Sequence, residues 1–101
     1  MEFFEVGIMQ EASYKVPGGK LVKVKLSVTS KKIDYVRVMG DFFLHPEETI
    51  QVIEESLIGC KEDEKSIRIT IKQVLKNSEA TLIGAAASDF SKTIMMAWKS
   101  K

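Results

Sequence analysis

Two hydrophobic periods divide the chain. In the first third, apolar residues recur at every second position, the period of a strand with one buried face. Leu21-Val22-Lys23-Val24-Lys25-Leu26-Ser27-Val28 alternates cleanly. Val22, Val24, Leu26 and Val28 are expected to face a core, with Lys23, Lys25 and Ser27 facing out. Ahead of it, Tyr14-Lys15-Val16 leads into Pro17-Gly18-Gly19. Pro presets the second position of a tight turn, and Gly at the third takes positive φ without steric cost, so a hairpin is predicted. Phe4, Val6 and Ile8 share one face of a further short strand, with Glu5 and Gly7 between them. Thr29-Ser30-Lys31-Lys32 reads as a polar turn. A third strand then runs through Ile33, Tyr35, Val36, Arg37 and Val38 and ends at Gly40. The short connections make the three an antiparallel meander.

The second half carries helical spacing. His45-Pro46-Glu47-Glu48 reads as a helix start. Pro is tolerated at the first helical position, and two acids in the first turn complement the dipole. Ile50, Ile53 and Leu57 continue the stripe, and Gly59 is a stop signal. Between Glu64 and Asn77, Ile67, Ile69 and Ile71 alternate like a strand, while Ile67, Ile71, Val74 and Leu75 form a helical stripe. Acids at the start and Lys72, Lys76 and Asn77 at the end favour helix. Leu82-Ile83-Gly84-Ala85-Ala86-Ala87 reads as an apolar connector. Ser88 or a neighbour is expected to cap a last helix running through Lys99, with Phe90, Ile94, Met95 and Trp98 on its buried face. The fold class predicted is α+β: a small antiparallel sheet with helices packed on one face. Residues 1–101 make a single domain, with residues 1–13 an N-terminal extension or edge strand.

Composition narrows the function classes. The 101 residues include 15 Lys or Arg and 14 Asp or Glu, a net charge of +1. Nucleic-acid binders usually show a marked basic excess, so no nucleic-acid partner is expected. No apolar run approaches the ~18–20 residues of a membrane span, so no membrane association is expected. Met1-Glu2-Phe3-Phe4-Glu5 carries acids where a secretory signal carries basic residues. Cys60 is the only cysteine, which excludes an internal disulfide framework and a multi-cysteine zinc site. Together these features point to a reducing, cytoplasmic location. A domain of this size holds one core and little room for a deep pocket, so it suits a subunit of an enzyme better than a self-sufficient one.

Individual chemical signals are bland. Pro17-Gly18-Gly19-Lys20 could cradle an anion, but it lacks P-loop spacing and precedes a strand, so a simple turn is the better reading. His45, the only histidine, sits beside a helix start with no second ligand near it in sequence, which favours a capping or surface role. Cys60 follows a helix C-terminus, where a thiolate gains no help, so a partly packed loop residue is expected. Asp41 reads as a hydrogen-bonded turn residue. Phe42 and Phe43 are adjacent and cannot both point into one core from a strand. One of them is therefore expected in the core and the other on the surface or against a partner. Lys15, Lys20, Lys23 and Lys25 read as a solvated basic edge that discourages strand aggregation.

The runs Pro17-Gly18-Gly19-Lys20-Leu21-Val22-Lys23-Val24, Gly40-Asp41-Phe42-Phe43-Leu44-His45-Pro46-Glu47-Glu48 and Ile53-Glu54-Glu55-Ser56-Leu57-Ile58-Gly59 resemble the C-terminal accessory domain of lipoate-protein ligase. The resemblance covers residues 14–98, and Gly40-Asp41-Phe42-Phe43 followed by Pro-Glu-Glu is its most specific part. It implies a fold like that of iron–sulfur scaffold and sulfur-transfer proteins, the SufE/NifU-like fold. It implies a partner, the catalytic subunit, which activates lipoate with ATP and Mg²⁺ and then lipoylates a lysine on a carrier. The carriers would be lipoyl domains of 2-oxoacid dehydrogenases or the glycine-cleavage H protein. The chain runs from Met1 to Lys101 without a catalytic domain, so it is expected to be the separately encoded small subunit of a bipartite ligase. Such a subunit would bind no cofactor alone, have no independent activity and serve the adenylation half-reaction more than transfer. Gly18, Gly19, Lys20, Asp41, Phe42 and Phe43 are the expected contacts with the partner or its mobile loops. Lys20 is a candidate to reach a phosphate or carboxylate. The rival readings are a sulfur-carrier or iron–sulfur assembly protein using Cys60, and a nucleic-acid module using the lysines.

Overall fold

A computed structural model describes residues 9–100. The strand expected over Phe4, Val6 and Ile8 lies outside them. Gln10–Lys15 forms β1, Leu21–Thr29 β2 and Lys32–Gly40 β3, joined in an antiparallel sheet of order β1-β2-β3. The turn between β1 and β2 is as expected: the Gly19 amide donates to the Val16 carbonyl at 2.8 Å, and Gly18 has φ 71°. Between β2 and β3, Ser30 and Lys31 both take positive φ, 54° and 66°. That is the I′ geometry whose twist matches a two-residue hairpin, formed here without the usual Asn-Gly.

The strand phases depart from simple alternation at one place. Val24 pairs with Val38 and Ser27 with Tyr35, but Val28 pairs with Ile33, so Asp34 is an extra residue in β3. This bulge flips the phase. Ile33 below it and Val36 and Val38 above it all reach the core, although their numbers differ in parity. Thr29 Oγ1 donates to the Asp34 carboxylate and holds the bulged residue outward. Ser27, expected outside, is buried opposite Tyr35, and Val28, expected inside, is only half-buried. Lys23 and Lys25 lie on the open face of β2, the central strand. They are therefore not an edge; of the expected basic edge only Lys15 sits on an outer strand.

The first helix begins later than expected. Pro46, Glu47 and Glu48 form a turn whose carbonyls accept from Thr49, Ile50 and Gln51 at 3.0–3.2 Å. The helix α1 spans Thr49–Leu57, so both acids precede it and its first turn carries none. Thr49, Ile53 and Leu57 are its buried stripe, with Ile50 half-buried beside it. Helix α2 covers Glu64–Asn77, and Asp63 caps it by accepting from the Lys65 and Ser66 amides. Ile67, Ile71 and Val74 are buried, whereas Ile69 is exposed, which settles the ambiguous run as a helix. Helix α3 covers Ala87–Lys99. Its cap residue is Ala86, not Ser88, and the Asp89 carboxylate reaches back to the Ala86 amide at 2.8 Å. Phe90, Ile94 and Trp98 are buried on it as expected, and Met95 is half-buried.

All three helices lie on one face of the sheet. Helix α3 packs under β1 and β2, α1 lies against β3, and α2 closes over α1 and α3. Phe90, Leu26, Ile33, Ile53, Ile67 and Ile94 are fully buried among them. The Glu54 carboxylate accepts from the Val38 amide at 2.8 Å and lies 3.7 Å from Arg37 Nε. It thereby satisfies part of the free edge of β3. The segment expected to be a connector contains a strand instead. Thr81–Ile83 is β5, and it pairs antiparallel with Phe43–His45, here β4, in a separate two-stranded ribbon.

Candidate functional site

Three loops meet at one end of the molecule, and each needs a glycine to do so. Asp41 follows β3, and its amide donates to the Leu21 carbonyl at 3.1 Å. Gly40 has φ 153°, and a Cβ there would stand 2.1 Å from the same carbonyl. Lys20 donates its amide to the Gly84 carbonyl at 2.8 Å. A Cβ on Gly19 would stand 2.5 Å from that oxygen, and one on Gly84 2.6 Å from Lys20 Cγ. The β1–β2 turn, the β3–β4 link and the end of β5 therefore touch backbone to backbone. Only glycine permits approaches this close.

This junction gathers all six residues expected at the site. Gly18 is exposed at the turn, and Gly19 and Lys20 lie beside the end of β5. Lys20 itself is exposed, with its stem against Gly84. Asp41 is exposed and bonded through its backbone. The two phenylalanines divide as the strand geometry demands. Phe42 turns inward onto Phe90, with ring centroids 4.9 Å apart. Phe43 turns outward, 54% exposed. Its ring stacks on His45 at 6.4 Å, and His45 is a surface residue of β4.

Sequence reasoning missed the partner of Phe43. In the ribbon Phe43 pairs with Ile83, which is 59% exposed. Cross-strand partners project to the same face. Two large apolar side chains thus sit side by side in solvent, while Leu44 and Leu82 occupy the covered face behind them. The alternation Thr81-Leu82-Ile83 was the available signal, but it spans three residues and lies in an apolar run. Beside the ribbon is a groove of about 460 Å³ with an apolar wall of Val38, Leu44 and Ile50, and Glu47 also lines it.

Cys60 lies elsewhere. It follows α1, half-buried, and its amide donates to the Leu57 carbonyl at 3.0 Å. Burial pushes its thiol pKa up, and a hydrogen bond with Thr70 opposes this more weakly. Reactive thiols need the opposite shift. Among the described residues, no group of three or more His, Cys, Asp or Glu could hold a metal ion. No helix of the described residues is long and apolar enough to cross a membrane.

Known proteins give the junction a context. The family described as bacterial lipoate protein ligase C-terminus matches residues 8–94. A solved chain from a bi-partite lipoate protein ligase and its E2 lipoyl domain, an archaeal lipoylation system of Thermoplasma acidophilum, is similar in fold. The match has a TM-score of 0.71 and 24% identity, and it covers 88% of this chain and 97% of that chain. No curated protein matches this sequence.

Proposed function

The chain belongs to the family of bacterial lipoate protein ligase C-terminal domains, and on that premise we propose that it is a non-catalytic accessory subunit of a bipartite ligase. Its partner is the catalytic subunit, and the complex activates lipoate with ATP and Mg²⁺ to lipoyl-adenylate in the cytoplasm. The lipoyl group then passes to a lysine on a carrier domain. The similar Thermoplasma acidophilum structure, described as a bi-partite ligase, supports a two-chain arrangement.

The observation that carries the reading is the exposed pair Phe43 and Ile83 on a glycine-packed junction. Apolar residues held side by side on a rigid base lose little entropy when covered, as a protein contact requires. Aromatic anchors of this kind supply much of the binding energy of an interface. The subunit acts by binding the activation-competent conformation of the catalytic chain more tightly than its alternatives. Each tenfold shift of that equilibrium needs about 1.4 kcal/mol of differential binding. In this reading Lys20 and Asp41 add polar contacts beside the pair, and the Lys20 ammonium meets an anionic group of the joined site.

The test is lipoyl-adenylate formation by the catalytic chain with and without this one, in ATP, Mg²⁺ and lipoate and without carrier. Adenylate that appears only with both chains supports the reading. A catalytic chain equally active alone rejects it. The half-buried thiol of Cys60, its pKa pushed up by desolvation, gives no support to a sulfur-carrier role.

A further inference from the structure

A second cleft, of about 620 Å³, opens at the other end of the sheet. The nine residues of β2 place it about 25–30 Å from the glycine junction. Its apolar lining is half-buried Val28 and Trp98, a core residue 8% exposed near the end of α3. Its rim is cationic, built from Lys31, Lys32 and Lys61.

The lysines come together by construction of the backbone. Lys31 occupies the second central position of the I′ turn, where glycine would be less strained. Lys32 opens β3, and Lys61 follows α1. The Gly59 amide donates to the Ile33 carbonyl at 2.7 Å and the Ile33 amide to the Cys60 carbonyl at 2.9 Å. These bonds set Lys32 opposite Lys61 in an antiparallel bridge. Directly opposed side chains share a face, and like charges there destabilise the pairing. Among the described residues the ion pair formed is Arg37–Glu54, and none of the three lysines closes one. Glu62 lines the cleft without pairing with them.

A cationic rim beside an apolar, aromatic lining selects a ligand with both characters. We propose that this cleft binds an amphiphilic oxyanion: a carboxylate or phosphate head on an apolar or aromatic body. The head lies against Lys31, Lys32 and Lys61, and the body against Trp98 and Val28. The proposal is independent of the ligase reading, since it concerns this chain alone.

Trp98 is the only tryptophan in the sequence and lines the cleft, so the emission followed is that of one lining residue. The experiment titrates octanoate, AMP and inorganic phosphate separately into the full chain at low salt, exciting at the red edge where adenine does not absorb. Saturable change with octanoate identifies a carboxylate on an apolar chain, and saturation with AMP a phosphate on an aromatic body. Either result supports the proposal. Lys31→Gly combined with Lys61→Gln should weaken binding about tenfold, or ~1.4 kcal/mol, without unfolding the hairpin, since the I′ turn accepts glycine. Lys23→Gln with Lys25→Gln, on the open sheet face, should leave it unchanged. Three results overturn the proposal: no saturable response to octanoate or AMP, an equal response to inorganic phosphate alone, or undiminished binding by the first double variant.

Discussion

Gly18 and Gly40 separate two reasons for a glycine. At Gly18 the need is conformational, because φ is 71° and a Cβ would meet nothing within 4 Å. At Gly40 a Cβ would also strike the Leu21 carbonyl at 2.1 Å. Gly18→Ala should therefore cost only the left-handed backbone term, about 1 kcal/mol. Gly40→Ala adds steric overlap and should cost about 2–4 kcal/mol. Urea titration checks both through the midpoint at constant slope. Equal losses would mean that the loop junction relaxes freely. The first glycine was legible, since Pro17-Gly18 is a local turn signal. The demand on Gly40 was not, because the carbonyl that crowds it belongs to Leu21, far away in sequence.

At the scale of elements, local pattern carried β2 and β3, whose periods are long enough to read, while α2, ambiguous in period, was decided by the charges at its ends. It failed where one residue or a short pairing decides. The Asp34 bulge shifts the phase of β3 against β2, and nothing in single-strand alternation announces an inserted residue. The ribbon of β4 and β5 has three residues per strand and brings together segments far apart in the chain. Most residues of the glycine junction were therefore legible as a motif, but the exposed apolar pair beside it was not, because Ile83 joins Phe43 only through that ribbon. Another long-range link sits on β1. The Gln10 side-chain amide donates to the carbonyls of Ala97, Trp98 and Ser100 at 2.6–3.0 Å. It thus satisfies the C-terminal end of α3, where carbonyls lack helical partners. Gln10→Ala should cost about 1–2 kcal/mol and raise hydrogen exchange in the last turn of α3, with the amides of α2 unaffected at low denaturant. Unchanged exchange there would assign the helix end to packing alone.

For the whole molecule, the question is whether stability and partner binding draw on the same residues. The core runs through Val24, Leu26, Ile53, Ile67, Phe90 and Ile94, all on the helix-covered side of the sheet. Phe43 and Ile83 stand outside it, yet Phe42 and Leu44 beside them point inward. The ribbon thus anchors to the core through one face and presents the other. Replacing an exposed residue usually changes stability by no more than about 0.5 kcal/mol. Phe43→Ser with Ile83→Ser should accordingly unfold within about 1 kcal/mol of the parent chain. The same change removes two apolar anchors from the contact proposed with the catalytic subunit, where truncated hot spots cost about 2 kcal/mol or more. The complex should therefore weaken at least about thirtyfold, while calorimetric unfolding of the free chain barely moves. Titration calorimetry against the catalytic chain supplies the binding arm. Undiminished affinity in the double variant would move the contact off this ribbon. A large fall in the unfolding temperature would instead make the pair structural, held by a neighbour that covers it in the free protein.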